Sequence, residues 1–210
     1  HMSEWVENLT EDNKYRSFLH PLRTIIAPPK ETLKVWDELN QKRKVVGIGG
    51  IDAHAHKYNL VGFLEVEIFP YKVLFKSIRT HILINEAIKK GKSAKDIETA
   101  KWQIYNSLRE GRCFIANDYV AESKGFRFYA EHDAVKYQMG DKVPDHKNVT
   151  LKVFLPKINA EIKLLRNGHI IETNKGIDAE FVINKKGAFR IEVFYEERAW
   201  IYSNHIRVNI

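Results

Sequence analysis

Lys44-Val45-Val46-Gly47-Ile48-Gly49-Gly50-Ile51-Asp52-Ala53-His54-Ala55-His56 is the stretch on which the reading of this chain turns. A short β-branched run that closes on glycines reads as a buried strand ending at a turn. Polar residues follow at once. In extended backbone, residues two apart point to the same side, so the Asp52 carboxylate and the His54 imidazole, with His56 as a further candidate, can converge on one point. A carboxylate with neutral imidazole suits manganese, zinc or iron, whereas magnesium and calcium want mostly oxygen ligands. Asp52 and His54 are therefore the candidate metal ligands; the competing reading has Asp52 capping the next element and the histidines facing solvent. The glycines do not make a nucleotide loop. Gly47-Ile48-Gly49-Gly50-Ile51-Asp52 begins like a dinucleotide fingerprint, but an aspartate in the sixth position would repel the pyrophosphate, and no Walker lysine follows.

Upstream, Glu31 to Lys42 carries Leu33, Val35, Trp36 and Leu39 at the spacing of one helical face. Downstream, within Tyr71 to Lys90, the segment Tyr71 to Ile84 reads as a second helix that Gly91 ends, with Leu74, Ile78 and Ile82 inward and Phe75 a further candidate. Ser93, three residues before Asp96, starts a capped third helix that ends near Gly111. Beyond Gly111 the period changes to short alternating runs, from Cys113–Ala116 to Ala188–Tyr195, whose spacing suggests a β-sandwich. Asn167-Gly168 is the strongest hairpin signal, since both residues tolerate the positive φ of a type I′ turn. The expected fold is α+β: residues 1–111 form a helical, partly α/β unit carrying the Asp-x-His motif, and residues 112–210 form an antiparallel β-sandwich.

Composition narrows the function classes. The 210 residues are 44% hydrophobic and 11% aromatic, enough for a packed core. No run approaches the roughly 18 apolar residues of a membrane helix. The net charge of +7 comes from scattered lysines rather than a basic face, so neither nucleic acid nor membrane is an expected partner. A lone cysteine, Cys113, can make neither an internal disulfide nor a thiolate metal site. His1-Met2 reads as a cloning remnant without a signal peptide after it, which leaves localisation open. Asn8-Leu9-Thr10 and Asn148-Val149-Thr150 match the short glycosylation pattern.

Lys44 to His56 resembles the last metal-binding motif of the PHP (polymerase and histidinol phosphatase) superfamily, written Gly-Gly-Ser-Asp-Ala-His. Trp36-Asp37-Glu38-Leu39 looks like the helix before that strand in the CehA/McbA-type branch. Phe69-Pro70-Tyr71, Arg79-Thr80-His81, Glu110 to Phe114, Gly125-Phe126, Met139-Gly140-Asp141 and Trp200 to Asn204 are similar to the segments that follow the barrel there. The resemblance implies a remnant of a PHP barrel in residues 1–111 and a parent phosphoesterase or related hydrolase. In such an enzyme, divalent metal ions (Mn, Zn or Fe) bind a phosphate-ester or other small-molecule substrate and generate hydroxide. It carries the metal-ligand role onto Asp52 and His54 and assigns no catalytic residue. Ile51 replaces the family's serine, and His205 stands where proline is usual. Only fifty-one residues precede Asp52, and they hold no His-x-His pair. A barrel takes roughly 200 residues. The expectation is a C-terminal portion of such a hydrolase, inactive alone.

The alternative is a non-catalytic β-sandwich that recognises carbohydrate or another subunit. Trp200 and Tyr202 are its candidate sugar platform, weighed against a role in closing the core. A strand left with an open edge also suggests a homo-oligomer. His81 beside Arg79 reads as a structural histidine. Asp118, Glu122, Glu131, His132 and Asp133 read as loop residues, while Asp141 and Asp145-His146 are loose cation candidates. No Ser/His/Asp or Cys/His nucleophile pattern is recognisable.

Overall fold

A computed structural model describes residues 10–12, 27–51, 53–60, 62, 64–68, 70–88, 91 and 93–210. In chain order, helix α1 (Lys30–Lys42) precedes a hairpin of β1 (His56–Leu60) and β2 (Leu64–Ile68). A single helical turn α2 (Tyr71–Leu74), strand β3 (Ile78–Ile82) and helix α3 (Ala94–Glu110) follow. The strands are then β4 (Cys113–Asn117), β5 (Arg127–His132), β6 (Val135–Gln138), β7 (Lys142–Val143), β8 (Val149–Phe154), β9 (Ala160–Arg166) and β10 (His169–Gly176). The last four are β11 (Asp178–Ile183), β12 (Gly187–Tyr195), β13 (Arg198–Ser203) and β14 (Ile206–Val208).

Two sheets face each other. The larger runs β10-β9-β12-β13-β4-β3, with β14 on β12 and β7 on β14; the smaller runs β11-β8-β5-β6. Alternation places the core between them. Phe128 and Ala130 of β5, Leu151 and Val153 of β8, and Phe181 of β11 meet Ile162, Leu164, Ile191, Val193 and Trp200 from the larger sheet. The β9–β10 hairpin turns at Asn167-Gly168, with φ of 53° and 85°, as the type I′ signal requires.

β12 departs from the alternation. Residues Gly187 to Val193 are buried on both faces, because the face turned away from the core lies under α1. Arg190 and Glu192 stand on that covered face.

The expected partial α/β unit, read as a PHP barrel remnant, is corrected by the topology. Among the described residues up to 111, β1 pairs antiparallel with β2, and β3 pairs antiparallel with β4; the only parallel pairing is the two-residue contact of β14 with β7. A strand-helix-strand layer needs parallel strands, and residues 44–50, expected as one, join no ladder. Among the described residues the molecule is mostly β, with two facing sheets that are antiparallel apart from β14–β7, a separate β1–β2 hairpin and three helices.

The helix expected over Tyr71 to Ile84 is also corrected: it stops after one turn, and β3 follows. Leu74, Ile78 and Ile82 satisfy a helical spacing, but Ile78, Thr80 and Ile82 equally satisfy a period of two. Their β-branched side chains and the waiting edge of β4 decide for strand.

α3 forms as expected. Ser93 Oγ accepts the Asp96 N–H at 3.1 Å, Asp96 sits favourably in the first turn, and Gly111 closes the helix at φ 78°. Ser93→Ala is expected to lower stability by about 1 kcal/mol, read as a shift in the urea midpoint with unchanged slope. None of the described helices is long and apolar enough to cross a membrane.

Candidate functional site

Residues 45–50 run beside the larger sheet without joining it, and side chains take the place of a neighbouring strand. The Asn40 side chain binds both the N–H and the carbonyl of Val45, at 3.2 and 3.0 Å, and Trp36 Nε1 donates to the same carbonyl at 2.9 Å. Asn204 Oδ1 accepts the Gly47 N–H at 2.7 Å, while its Nδ2 donates to the carbonyls of Gly47 and Cys113 at 3.0 and 2.9 Å. Thr80 Oγ1 accepts the Gly49 N–H at 2.9 Å and donates to the Gly49 carbonyl at 3.0 Å. When N–H and carbonyl of one residue point to the same side, and alternate residues repeat it, the backbone is that of a β-strand.

The glycines here answer to packing. A Cβ on Gly47 would lie 2.5 Å from the Trp36 ring, and one on Gly49 would lie 2.6 Å from Ile115 Cγ2. That explains a Gly-x-Gly without any phosphate.

Among the described residues the other edge of the segment is open. Val46, Ile48 and Gly50 point their backbone groups away from the sandwich, and these make no hydrogen bond among the described residues. Beside this edge lies an apolar groove of about 540 Å³ between α1 and the sheet, lined by Val35, Trp36, Leu39, Val46, Ile48 and Ile78. Ile48 is 67% exposed and Val35 46%. An unpaired strand edge with exposed apolar side chains is a template for another strand.

The segment leads directly into the candidate metal motif. His54 is exposed, Asp52 lies outside the described residues, and so does the side chain of His56, which begins β1. A carboxylate and an imidazole are suitable donors for manganese, zinc or iron, but a catalytic site of this kind needs about three protein ligands. The described residues contain no group of three His, Cys, Asp or Glu placed to share an ion. Among the described residues the donor set does not amount to a complete metal site.

A buried ionic cluster fastens α1 to the sheet. Arg190 Nε and Nη2 donate to the two Asp37 oxygens at 2.6 and 2.7 Å, and Nη1 donates to Glu192 Oε1 at 2.6 Å. His205 Nε2 lies 2.7 Å from Asp37 Oδ1, and its Nδ1 is buried without a partner among the described residues. The His205 ring meets Trp36 edge-on at 4.6 Å, and the Arg190 guanidinium stands 5.4 Å from the centre of a Trp36 ring.

The protonation states follow from these contacts. Burial raises the Asp37 carboxyl, but the hydrogen bonds from Arg190 and His205 outweigh it and hold it below its ordinary value. Burial lowers His205, and Asp37 only partly opposes this. His205 is thus neutral, with its proton on Nε2. The same burial pushes the Cys113 thiol up to about 11, which removes it as a nucleophile at neutral pH.

The structure also gathers a serine, a histidine and an aspartate. Ser123 Oγ donates to Asp118 Oδ1 at 2.6 Å and lies 3.0 Å from His81 Nε2, which itself lies 2.9 Å from Asp118 Oδ2. A nucleophilic triad needs the serine on one imidazole nitrogen and the carboxylate on the other. Here both occupy Nε2, and Ser123 is fully buried. The trio pins the loop after β4, with Arg79 adding a 3.2 Å contact to Asp118 and the His81 ring stacked on Phe114.

The remaining candidates are placed singly. Trp200 and Tyr202 are 1% and 6% exposed, and Trp200 Nε1 donates to the Ala121 carbonyl, so neither ring offers a face for sugar stacking. Asp141 Oδ2 accepts the Gln138 N–H at 2.7 Å, and Asp145 Oδ1 accepts the His146 N–H at 2.6 Å, as turn residues do. Glu131 and His132, read as loop residues, are the last two of β5; His132 is buried beside exposed Asp133, Glu131 pairs with Lys152, and Glu122 Oε1 accepts the Lys124 N–H.

Sequence reasoning did not find Asn204, Thr80 and Arg190 as site residues. A charged residue alternating with apolar ones, as in Phe189-Arg190-Ile191-Glu192-Val193, reads as a solvent face; nothing local announces that a helix covers it.

Among the described residues these features define a β-sandwich that holds a one-sided strand beside an open apolar groove. Compared with protein-family models, curated proteins and solved structures, the chain gives no significant match to any.

Proposed function

We propose that this chain is the docking scaffold of a PHP-type metal-dependent phosphoesterase or related hydrolase, inactive alone. In this reading further polypeptide pairs with the free edge of residues 45–50, fills the groove and brings the remaining ligands to Asp52 and His54. The observation that carries it is the one-sided strand: one edge is satisfied by Asn204 and Thr80, while the other offers Val46, Ile48 and Gly50 to a partner backbone. The motif resemblance of Lys44 to His56 supplies the chemistry, since a carboxylate and an imidazole are donors of the type that manganese, zinc or iron accepts.

Titration with Mn²⁺ tests it. Amide signals around Ala53 and His54 are expected to broaden at low Mn²⁺ in the isolated chain, and not in Asp52→Ala, while bis(p-nitrophenyl) phosphate is not hydrolysed. Broadening elsewhere, or none, would remove the metal motif from the account. Hydrolysis by the isolated chain that vanished in Asp52→Ala would overturn the claim that it is inactive alone.

A second reading, pairing with another copy of the chain, has one specific observation behind it. An antiparallel two-fold pair centred on Ile48 would set Ile48 opposite Ile48 and Val46 opposite Gly50, so all three outward-facing residues would be used. Sedimentation decides between the two: a dimer that Ile48→Lys converts to monomer supports self-pairing, and a monomer at all concentrations excludes it.

A further inference from the structure

The two walls of the docking groove are held by neighbouring residues of one tripeptide. Ser203 ends β13, Asn204 and His205 link it to β14, and each side chain fastens a different element. Ser203 Oγ accepts the Ile191 N–H of β12 at 2.8 Å, Asn204 clamps Gly47, and His205 binds Asp37 of α1. Both walls, α1 and residues 45–50, therefore answer to this one point.

We infer that the His205–Asp37 contact is an acid-sensitive latch: protonation of His205 frees α1 from the sheet and opens the groove. The inference regulates the docking site proposed above and rests on that reading.

The chemistry lies in the surroundings of the imidazole. Asp37 faces it from α1 and Arg190 from β12, where Glu192 pairs with Arg190, and Tyr202 lies on neighbouring β13 with its phenol held neutral. Arg207 of β14 supports the same helix by donating to the Asn40 and Lys42 carbonyls at 3.1 and 3.4 Å. Asp37 already accepts both arms of Arg190, and Trp36 closes the ring edge. Neutral His205 suits this site with its proton on Nε2. A second proton would sit on Nδ1, which has no acceptor among the described residues, and would add positive charge near Arg190.

The sign follows from linkage. A histidine whose folded value is lowered binds its proton more readily when the latch is open, so closure is favoured above the ordinary imidazole value of about 6.5. It weakens as pH falls from there toward the folded value. Asp37 is also lowered, and its loss begins only below about 3.9, outside this window.

Amide exchange by NMR between pH 7.5 and 5, corrected for intrinsic rates, tests the latch in the whole chain. Protection of the α1 amides is expected to fall by up to about tenfold per pH unit below about 6.5, while β8 amides hold theirs. His205→Gln, whose amide can still donate to Asp37 but does not titrate, is expected to abolish the dependence. Constant α1 protection in the wild type, or equal loss in His205→Gln, would overturn the latch. The imidazole signals of wild-type His205 decide the matter if the variant does not fold: titration at or above about 6.5 would also overturn it. These readouts involve no metal, so the latch can fail while the Mn²⁺ result stands, and the reverse.

Discussion

Arg190→Met is expected to lower stability by about 3–5 kcal/mol, because it strands Asp37 and Glu192 as uncompensated charges under α1. The side chain is 1% exposed and makes three short charge-assisted bonds, so water cannot replace it without undocking the helix. Combining Arg190→Met with Asp37→Leu and Glu192→Leu is expected to cost less than Arg190→Met alone. A buried ionic group can be exchanged for apolar packing more cheaply than it can be broken. Urea unfolding of both variants checks this. Should the triple variant prove less stable than the single one, the cluster would be supplying net attraction beyond its own desolvation, and the argument from stranded charge would be wrong.

Gly140→Ala is expected to be of similar size, about 4 kcal/mol, for a steric reason. Gly140 lies against the end of α3, where its N–H donates to the His205 carbonyl at 2.8 Å. A Cβ there would collide with the Glu110 carbonyl and sit 3.0 Å from Gly111 Cα, and the φ of 86° already disfavours any other residue. Both obstacles are backbone and cannot rotate away. Gly125→Ala is the control, with a comparable φ of 106° and its nearest neighbour, Pro156 Cβ, at 3.7 Å. It is expected to lose only the conformational part, about 1–2 kcal/mol. Equal losses in the two variants would show that the close approach of α3 contributes nothing.

The sandwich was legible because its signals are local. Buried and exposed positions alternate along β8 and β11, Asn167-Gly168 makes its own turn, and Ser93 caps its own helix. Helix α1 was legible too, but the segments between it and α3 were not, for the opposite reason. Ile78 to Ile82 fits both periods, and only the edge of β4 chooses between them. Residues 45–50 read as a strand from their β-branched content, yet they join no ladder. Their partners, however, are the side chains of Asn204 and Thr80, which no strand pattern encodes. His205 was visible only as a departure from a resemblance, and its contact with Asp37 spans 168 positions. A pattern read in windows of a dozen residues cannot contain such a pairing.

That separation has a bearing on biosynthesis. Arg190 is made 153 residues after Asp37, a delay of about 8–30 s at ordinary ribosomal speeds. Throughout that interval the nascent helix carries Trp36 and a carboxylate with no docked position to adopt. The chain is therefore expected to expose its stickiest surface longest at its beginning, and a chaperone that shields residues 30–50 would raise the yield of native protein.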